Sequence, residues 1–221
     1  MANPSPRRAF LFDLDGTLIN SSPLHARAFL DVLTAEAAEI ASHFDYRTVI
    51  GMETGAAFAQ LGLRDPAVVS RLSDMKRERY RELAQLGLLE EMPGAGRLLE
   101  GLRERGATVG VVTSASAKSA QLALEITGLR RLVDFLVSAD DAARSKPHPD
   151  PYLRGLERCG TEPVQAIAIE DAPAGAEAAR AAGLPVWGVH DRSVTPFVDR
   201  YFESLDLLRE ALVSHPRRVS A

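Results

Sequence analysis

Five short, nearly unbroken apolar runs, each stopping at polar residues, constrain this chain more than any other feature: residues 9–12, 109–112, 135–137, 166–169 and 186–189. A strand with one wet face alternates apolar and polar side chains, whereas a strand covered on both faces has no polar face to show. Continuous runs of this length are therefore expected as strands of a buried parallel sheet. Helical patterning separates most of them. Residues 117–126 carry Leu122, Leu124 and Ile126 ahead of Gly128, residues 151–158 carry Leu153 and Leu156, and the alanine-rich stretch 173–183 opens on Pro173 and closes on Gly183. From residue 90 onward the alternation of strand and helix predicts an α/β fold, a doubly wound, Rossmann-like parallel sheet.

Residues 18–89 break that alternation, following the first run with helical patterning only. Ser22 is expected to cap a helix entered at Pro23, with Ala26, Phe29, Leu30 and Leu33 on one side. Pro66 opens another helix carrying Val69, Leu72, Met75, Leu83 and Leu86, and Met92-Pro93-Gly94 returns the chain to the sheet. The expected organisation is a core of residues 1–17 and 90–221 with an all-helical insertion over 18–89; the tail 215–221 is expected to fray. A length of 221 residues accommodates a core with a lesser appendage.

Composition excludes several classes of function. With 46% hydrophobic and 25% charged residues the chain is neither a disordered nor a collagen-like sequence. Thirty acidic against 26 basic residues give a net charge of -4, which offers no support for nucleic-acid binding, so an anionic ligand must meet locally placed positive charge. Cys159 is the only cysteine, which excludes an intramolecular disulfide and a clustered thiolate zinc site. No apolar stretch is long enough for a signal peptide or a membrane span. The expectation is a cytoplasmic protein, a monomer or weak homodimer.

Ligands of open parallel sheets bind beyond the carboxyl ends of the strands. There the first run is followed by Asp13-Leu14-Asp15-Gly16-Thr17, the second by Thr113-Ser114 and the fourth by Glu170-Asp171, while Ser145-Lys146-Pro147 lies in the loop after the third. Asp13 and Asp15, two residues apart, point to the same side if the extended backbone persists, and Asp171 adds a third carboxylate. Their repulsion calls for a cation, and a hard, oxygen-liganded ion such as Mg²⁺ answers it. The Thr113 hydroxyl, loop amides and Lys146 suit anionic oxygens. Together they match phosphoryl transfer, in which one carboxylate attacks phosphorus and the other moves the proton. Singly, each group has an ordinary structural reading as a turn, a helix cap or a solvated surface residue; their joint occurrence at strand ends favours chemistry.

Other signatures fail. A calcium loop beginning at Asp13 would need glycine where Leu18 stands and glutamate where Leu24 stands. Gly94-Ala95-Gly96 lacks the third glycine of a dinucleotide fingerprint, and no Gly-Lys-Ser/Thr phosphate loop exists. His43, His148, His190 and His215 form no constellation, and Asp140-Asp141 reads as solvation or helix entry.

Four segments together resemble the haloacid dehalogenase superfamily of aspartate-nucleophile phosphohydrolases: Phe12-Asp13-Leu14-Asp15-Gly16-Thr17-Leu18, Val111-Val112-Thr113-Ser114, Ser145-Lys146-Pro147 and Ile169-Glu170-Asp171-Ala172-Pro173-Ala174-Gly175. The insertion resembles the helical cap of the phosphoglycolate phosphatase and β-phosphoglucomutase branch. The resemblance implies Asp13 as nucleophile, forming an aspartyl phosphate, and Asp15 as acid to the leaving group and then base to water. It implies Mg²⁺ on the Asp13 carboxylate, the Asp15 backbone carbonyl and Asp171, with Glu170 in support, and phosphoryl oxygens held by Thr113, the Ser114 amide and Lys146. Dehalogenating and phosphonoacetaldehyde-cleaving members are less similar, because Asp15 is present.

The expected activity is Mg²⁺-dependent hydrolysis of a small phosphorylated metabolite, of sugar phosphate or phosphoglycolate type. The cap selects the leaving group, with residues 16–19 and 89–93 as hinges. A phosphomutase is the alternative. His25 stands where β-phosphoglucomutases carry a proton-handling histidine, but Thr54 stands where they place an arginine for the distal phosphate, leaving Arg47, Arg64 or Lys76 as substitutes. The intact set Asp13, Asp15, Lys146 and Asp171 speaks against a regulatory protein that only binds phosphate.

Overall fold

The computed structural model describes residues 8–214. Residues 1–7 and the tail 215–221 lie outside the described residues. The strands are β1 (Ala9–Phe12), β2 (Ile19–Asn20), β3 (Glu90–Glu91), β4 (Thr108–Val112), β5 (Phe135–Val137), β6 (Ala166–Glu170), β7 (Val186–Val189) and β8 (Arg200–Phe202). The α-helices are α1 (Ser22–Glu36), α2 (Ala38–Ala41), α3 (Thr54–Gln60), α4 (Pro66–Leu83), α5 (Ala95–Glu104), α6 (Ala117–Ile126), α7 (Asp150–Cys159), α8 (Pro173–Ala181) and α9 (Leu205–Ser214). No helix among the described residues is long and apolar enough to cross a membrane.

All five apolar runs are strands of one parallel sheet, ordered β5-β4-β1-β6-β7-β8. Their lack of alternation has a direct cause. Phe10 and Phe12 of β1 point to the face shared with Val109, Val111, Ile167 and Ile169, where Leu98 and Leu99 of α5, Leu124 of α6 and Leu208 of α9 cover them. Ala9 and Leu11 point to the other face, under Tyr152 and Leu156 of α7 and Ala176 and Ala179 of α8. The sixth strand, β8, escapes the sequence pattern because it is an edge strand reading Arg-Tyr-Phe, with Arg200 exposed and Tyr201 and Phe202 half-buried. The chain leaves β1 for β4 and β5 on one side and returns to β6 on the other. The strand order thus reverses at β1, and the crevice such a reversal opens lies at the carboxyl ends of β4, β1 and β6.

The insertion is mainly helical and packs around Phe29, Val32, Leu33, Val49, Ala57, Phe58 and Leu72, but the expected all-helical bounds 18–89 also take in Ile19–Asn20, which is the short strand β2. The insertion's details differ from expectation in three further places. The residue preceding α1 is Ser21 rather than Ser22, and its side chain makes no cap bond. Ala26 and Leu30 are not on the buried side of α1: Leu24 and Ala28 face the sheet's core while Phe29, Val32 and Leu33 face the insertion, so two adjacent stripes are buried and Leu30 is left outside. Leu86 is 70% exposed, because α4 ends at Leu83 and a π-turn over Ala84–Leu88, with Gly87 at φ 77°, carries it outward. The two segments that join insertion to core are not independent strings. β2 pairs antiparallel with β3, and the Met92 amide donates to the Leu18 carbonyl at 2.8 Å.

A separate apolar cluster predicts separate cooperativity. Phe58→Ala is expected to cost about 3–5 kcal/mol within the insertion, seen as faster amide hydrogen exchange in α3 and α4 while β1, β4 and β6 keep their protection. Uniform loss of protection would show instead that insertion and sheet open as one unit.

Candidate active site

The crevice gathers two polar networks. The first forms around Lys146, whose residue is joined to Pro147 by a cis peptide bond. Its ammonium donates to Asp13 Oδ1 at 2.5 Å, to Glu170 Oε1 at 2.7 Å and to the Val112 carbonyl at 2.9 Å, so all three of its N–H bonds are used. Asp13 continues the ladder of β1 by one residue, its amide donating to the Ile169 carbonyl. Glu170 Oε1 also accepts a bond from the Tyr152 hydroxyl, and Asp171 Oδ1 accepts from Thr17 Oγ1 at 3.0 Å. Two glycines make room. Gly16 has φ 90°, and a Cβ there would fall 2.2 Å from Asp171 Oδ2; a Cβ at Gly175 would fall 2.1 Å from both Glu170 oxygens.

Asp13, Glu170 and Asp171 are buried, and each brings an oxygen within 4.8 Å of the others. Burial, above all, raises the Asp13 carboxyl well above the ordinary range; Lys146 opposes this while Glu170, Asp171 and lastly Asp15 add to it. Burial and then Glu170 lift Asp171 to about 7, against Thr17 and Lys146. Burial works against the charge of Lys146, but Asp13 and Glu170 outweigh it and hold its pKa above the usual value. One ammonium faces three carboxylates, and a divalent cation fits the remaining negative charge and the all-oxygen donor set.

The second network belongs to Asp15, whose carboxylate is bonded by a different set of partners. β1 ends at Phe12, and Asp15 forms an isolated β-bridge with Ile19 just ahead of the turn over residues 16–18; its side chain, like that of Asp13, lines the crevice. Its Oδ1 accepts from Ser21 Oγ at 2.6 Å and meets His25 Nε2 at 3.1 Å; Thr113 Oγ1 lies 3.4 Å from Oδ2. His25 Nδ1 lies 2.7 Å from Lys76 Nζ of α4, and the imidazole stacks on Tyr80 with ring centroids 4.2 Å apart. Lys76, buried over the Phe29 ring at 4.6 Å, forms no ion pair with a carboxylate among the described residues. Burial pulls Lys76 down to about 8, with Arg77 in the same direction and Asp15 and Glu53 opposing. Burial and Lys76 lower His25 against the pull of Asp15. Burial would raise Asp15, but His25, Ser21 and Lys76 outweigh it and hold it at about 2.

Both networks line one cavity of about 50 Å³, roofed by Phe29, Tyr46, Val49, Met52 and Thr54 of the insertion. Asp13, Asp15, His25, Thr54, Thr113, Ser114, Lys146, Glu170 and Asp171 all reach it. Arg47 and Arg64 do not: both are exposed, and Arg47 pairs with Asp45 on the surface, so of the three substitute cations only Lys76 faces the chamber. Among the described residues Ser114 Oγ is buried without a partner, and the Thr113 hydroxyl accepts from the Ala115 amide at 3.0 Å. Asp140 caps α6 by accepting from the Ala117 amide and Asp141 closes a capping box with Ser138, in keeping with helix entry. Sequence reasoning attached no role to Ser21, Thr17, Tyr46 or Tyr152. Ser21 and Thr17 lie beside the first motif and were open to the same scrutiny, whereas no spacing announces that Tyr152 folds under Glu170.

The crevice at the strand reversal thus sets an aspartate pair just beyond β1 opposite a lysine and an acidic pair. The family model for haloacid dehalogenase-like hydrolases matches residues 10–189, and the chain belongs to that family. It is 34% identical over 208 residues, 90% of this chain and 94% of the other, to validoxylamine A 7'-phosphate phosphatase of Streptomyces hygroscopicus subsp. limoneus. It is 33% identical over 198 residues, 86% of each chain, to hexitol phosphatase A of Escherichia coli. Among solved structures, CbbY of Rhodobacter sphaeroides in complex with phosphate superposes with a TM-score of 0.79 at 26% identity, covering 91% of this chain and 96% of that one.

The carboxylate cluster predicts a pH signature. Asp171, raised from 3.8 to about 7, holds a proton in the folded chain that the unfolded chain has lost, so stability in chelator is expected to fall as pH rises through that window. Saturating Mg²⁺ should reverse the fall at pH 7.5, raising Tm by roughly 5–10 °C. A melting temperature in chelator that rises over the same window would refute the assignment.

Proposed function

We propose that the protein is a Mg²⁺-dependent phosphatase of a small phosphorylated metabolite, of sugar phosphate or phosphoglycolate type, working in the cytoplasm through an aspartyl phosphate. The observation that carries this reading is the separation of two aspartates, two residues apart in sequence, into environments of opposite character: Asp13 against a lysine and two acids, Asp15 against hydroxyls and a histidine. Asp13, its Oδ1 tied to Lys146, attacks phosphorus, and the bond from phosphorus to the ester oxygen breaks. The departing oxygen takes a proton from Asp15. A water then attacks the phosphoryl group, giving a proton to Asp15 and freeing Asp13 and orthophosphate. Thr113, the Ser114 amide and Lys146 hold the phosphoryl oxygens, for which Lys146 exchanges one of its present acceptors. Asp13 and Asp171, with Glu170 in support and the Asp15 carbonyl, hold the cation, which supplies positive charge to the phosphoryl oxygens when bound.

Asp15, held ionised by His25, Ser21 and Lys76, must be loaded with a proton to act as an acid. The chain Lys76–His25–Asp15 supports that step: a proton moves from the ammonium to Nδ1 as the Nε2 proton moves to Asp15. The insertion, residues 18–89, acts as a cap. The insertion roofs the cavity with Phe29, Tyr46, Val49, Met52 and Thr54, and its two connections to the core are paired as β2 and β3, so cap movement on that pair would widen the entrance. Hydrolysis is favoured over phosphomutase chemistry by the chamber's charges. Thr54 is neutral, Arg47 and Arg64 are outside, and Lys76 is already bonded to His25, so among the described residues a distal phosphate dianion finds no guanidinium.

Phosphate release from p-nitrophenyl phosphate and a panel of sugar phosphates is expected with Mg²⁺ and not in chelator. Asp13→Asn should lower kcat by at least about 1,000-fold and abolish a trapped phosphoenzyme, and undiminished turnover by this variant would end the reading. With β-glucose 1-phosphate and a bisphosphate primer, phosphate should exceed glucose 6-phosphate; efficient isomerisation would favour the mutase.

The relay predicts an alkaline limb. Lys76 carries its proton below about 8, so kcat should fall as pH rises past that value. In Lys76→Met the limb should disappear and kcat at pH 7 should drop about ten-fold or more. An unchanged profile would exclude Lys76 from proton delivery.

A further inference from the structure

Tyr152 is the largest fully buried side chain among the described residues, and the reaction outlined above gives it no part. It lies on the first turn of α7, six residues beyond Lys146, and touches the reaction's charged groups twice. Its hydroxyl donates to Glu170 Oε1, and Lys146 Nζ stands 5.1 Å above its ring centre. Glu170 Oε1 therefore carries two donors, one cationic and one neutral.

The position of Lys146 is a balance of three acceptors. Val112 is main chain of β4 and stays put; Asp13 joins the reaction; Glu170 is the acceptor whose pull is adjustable. A carboxylate oxygen with one donor concentrates its charge on that donor, and a second donor divides it. A second cation at Glu170 would compete with the bound metal, while a neutral hydroxyl satisfies the oxygen without altering the charge of the cluster. Burial, with Glu170 and Asp13 adding to it, keeps that hydroxyl protonated. The ring face supplies a second, weak attraction that holds the ammonium above α7.

We propose that Tyr152 is a positioning residue: its hydroxyl anchors and partly satisfies Glu170, so that Lys146 remains between Asp13 and the phosphoryl group rather than collapsing onto Glu170. The inference rests on the phosphatase reading for the identity of the phosphoryl ligand, and on the observed contacts for the rest.

Tyr152→Phe deletes one O–H and keeps the ring. Three quantities test it in parent and variant: calorimetric Kd for orthophosphate with Mg²⁺ present, kcat and KM for p-nitrophenyl phosphate, and the Mg²⁺ concentration for half-activation. The expected result is a roughly ten-fold weaker orthophosphate Kd and a matching rise in KM, the scale of one hydrogen bond, with half-activation by Mg²⁺ unchanged. In a Glu170→Gln background the same substitution should add less than about two-fold, because the effect runs through Glu170. Unchanged Kd and KM with a lowered Tm would reduce Tyr152 to a packing residue and overturn the proposal, as would a full ten-fold loss in the Glu170→Gln background. A parent that binds orthophosphate but hydrolyses nothing would overturn the phosphatase reading alone, with Kd still deciding the role of Tyr152; a parent that does not bind orthophosphate would overturn both.

Discussion

The ion pair of Lys146 with Asp13 and Glu170 is the interaction on which the rest of the crevice depends. Both carboxylates are buried, and so is the ammonium, so none of the three tolerates loss of its partners. The pair reaches across the sheet. Asp13 comes from the end of β1, Glu170 from the end of β6, the Val112 carbonyl from the end of β4 and Lys146 from a loop beyond β5. A change in the register of any of these strands would leave a charge without a counterpart, which makes the apolar packing of the sheet and the polar geometry of the site mutually dependent. The glycines follow from the same crowding, since Gly16 and Gly175 give the carboxylates of Asp171 and Glu170 the space a methyl group would take.

Asp13 and Asp15 are near neighbours in sequence but answer to different partners. The charges that raise Asp13 belong first to Glu170 and Asp171 and only last to Asp15, so the repulsion expected from the Asp-x-Asp spacing is present but is the smallest of the three. Asp15 instead joins the core to the insertion through Ser21, His25 and Lys76, all of which lie beyond the turn at Gly16. Any movement of the insertion relative to the sheet must therefore act on Asp15, while Asp13 remains part of the rigid floor. On the phosphatase reading proposed above, the nucleophile stands on the sheet while the proton carrier is tied to the insertion through Ser21 and His25.

The sequence made the sheet legible because burial on both faces erases alternation, most plainly in the interior runs such as 166–169. It could not announce β8, where an edge position permits Arg200 to stay wet. In the insertion, helical content was visible but its faces were not. α1 serves two cores at once, so a single apolar stripe through Ala26 and Leu30 was the wrong inference. At the site, the strand-end rule located Asp13, Asp15, Thr113, Ser114, Glu170 and Asp171 because each follows an apolar run directly. The rule has no reach to Tyr152 or Lys76, which sit on helices and enter the site through packing.

Those late-found groups share a chemical logic. The described part of the crevice holds four carboxylates, Asp13, Asp15, Glu170 and Asp171, and the hydrogen bonds that steady them come largely from neutral hydroxyls: Tyr152 on Glu170, Thr17 on Asp171, Ser21 and Thr113 on Asp15. A hydroxyl fixes the direction of a carboxylate without cancelling its charge, whereas a guanidinium in the same place would neutralise the charge that metal binding and nucleophilic attack require. Arginines are plentiful in this chain, yet those of the insertion are spent on surface pairs such as Arg47 with Asp45 and Arg71 with Glu36. The cationic side chains lining the chamber are Lys146 and Lys76, one held charged by its acids and the other poised near neutrality. The site thus keeps negative charge that suits a cation and, on the phosphatase reading proposed above, protons that could serve a leaving group. Neither reserve would survive if hydrogen bonding and charge neutralisation had been supplied by the same residues.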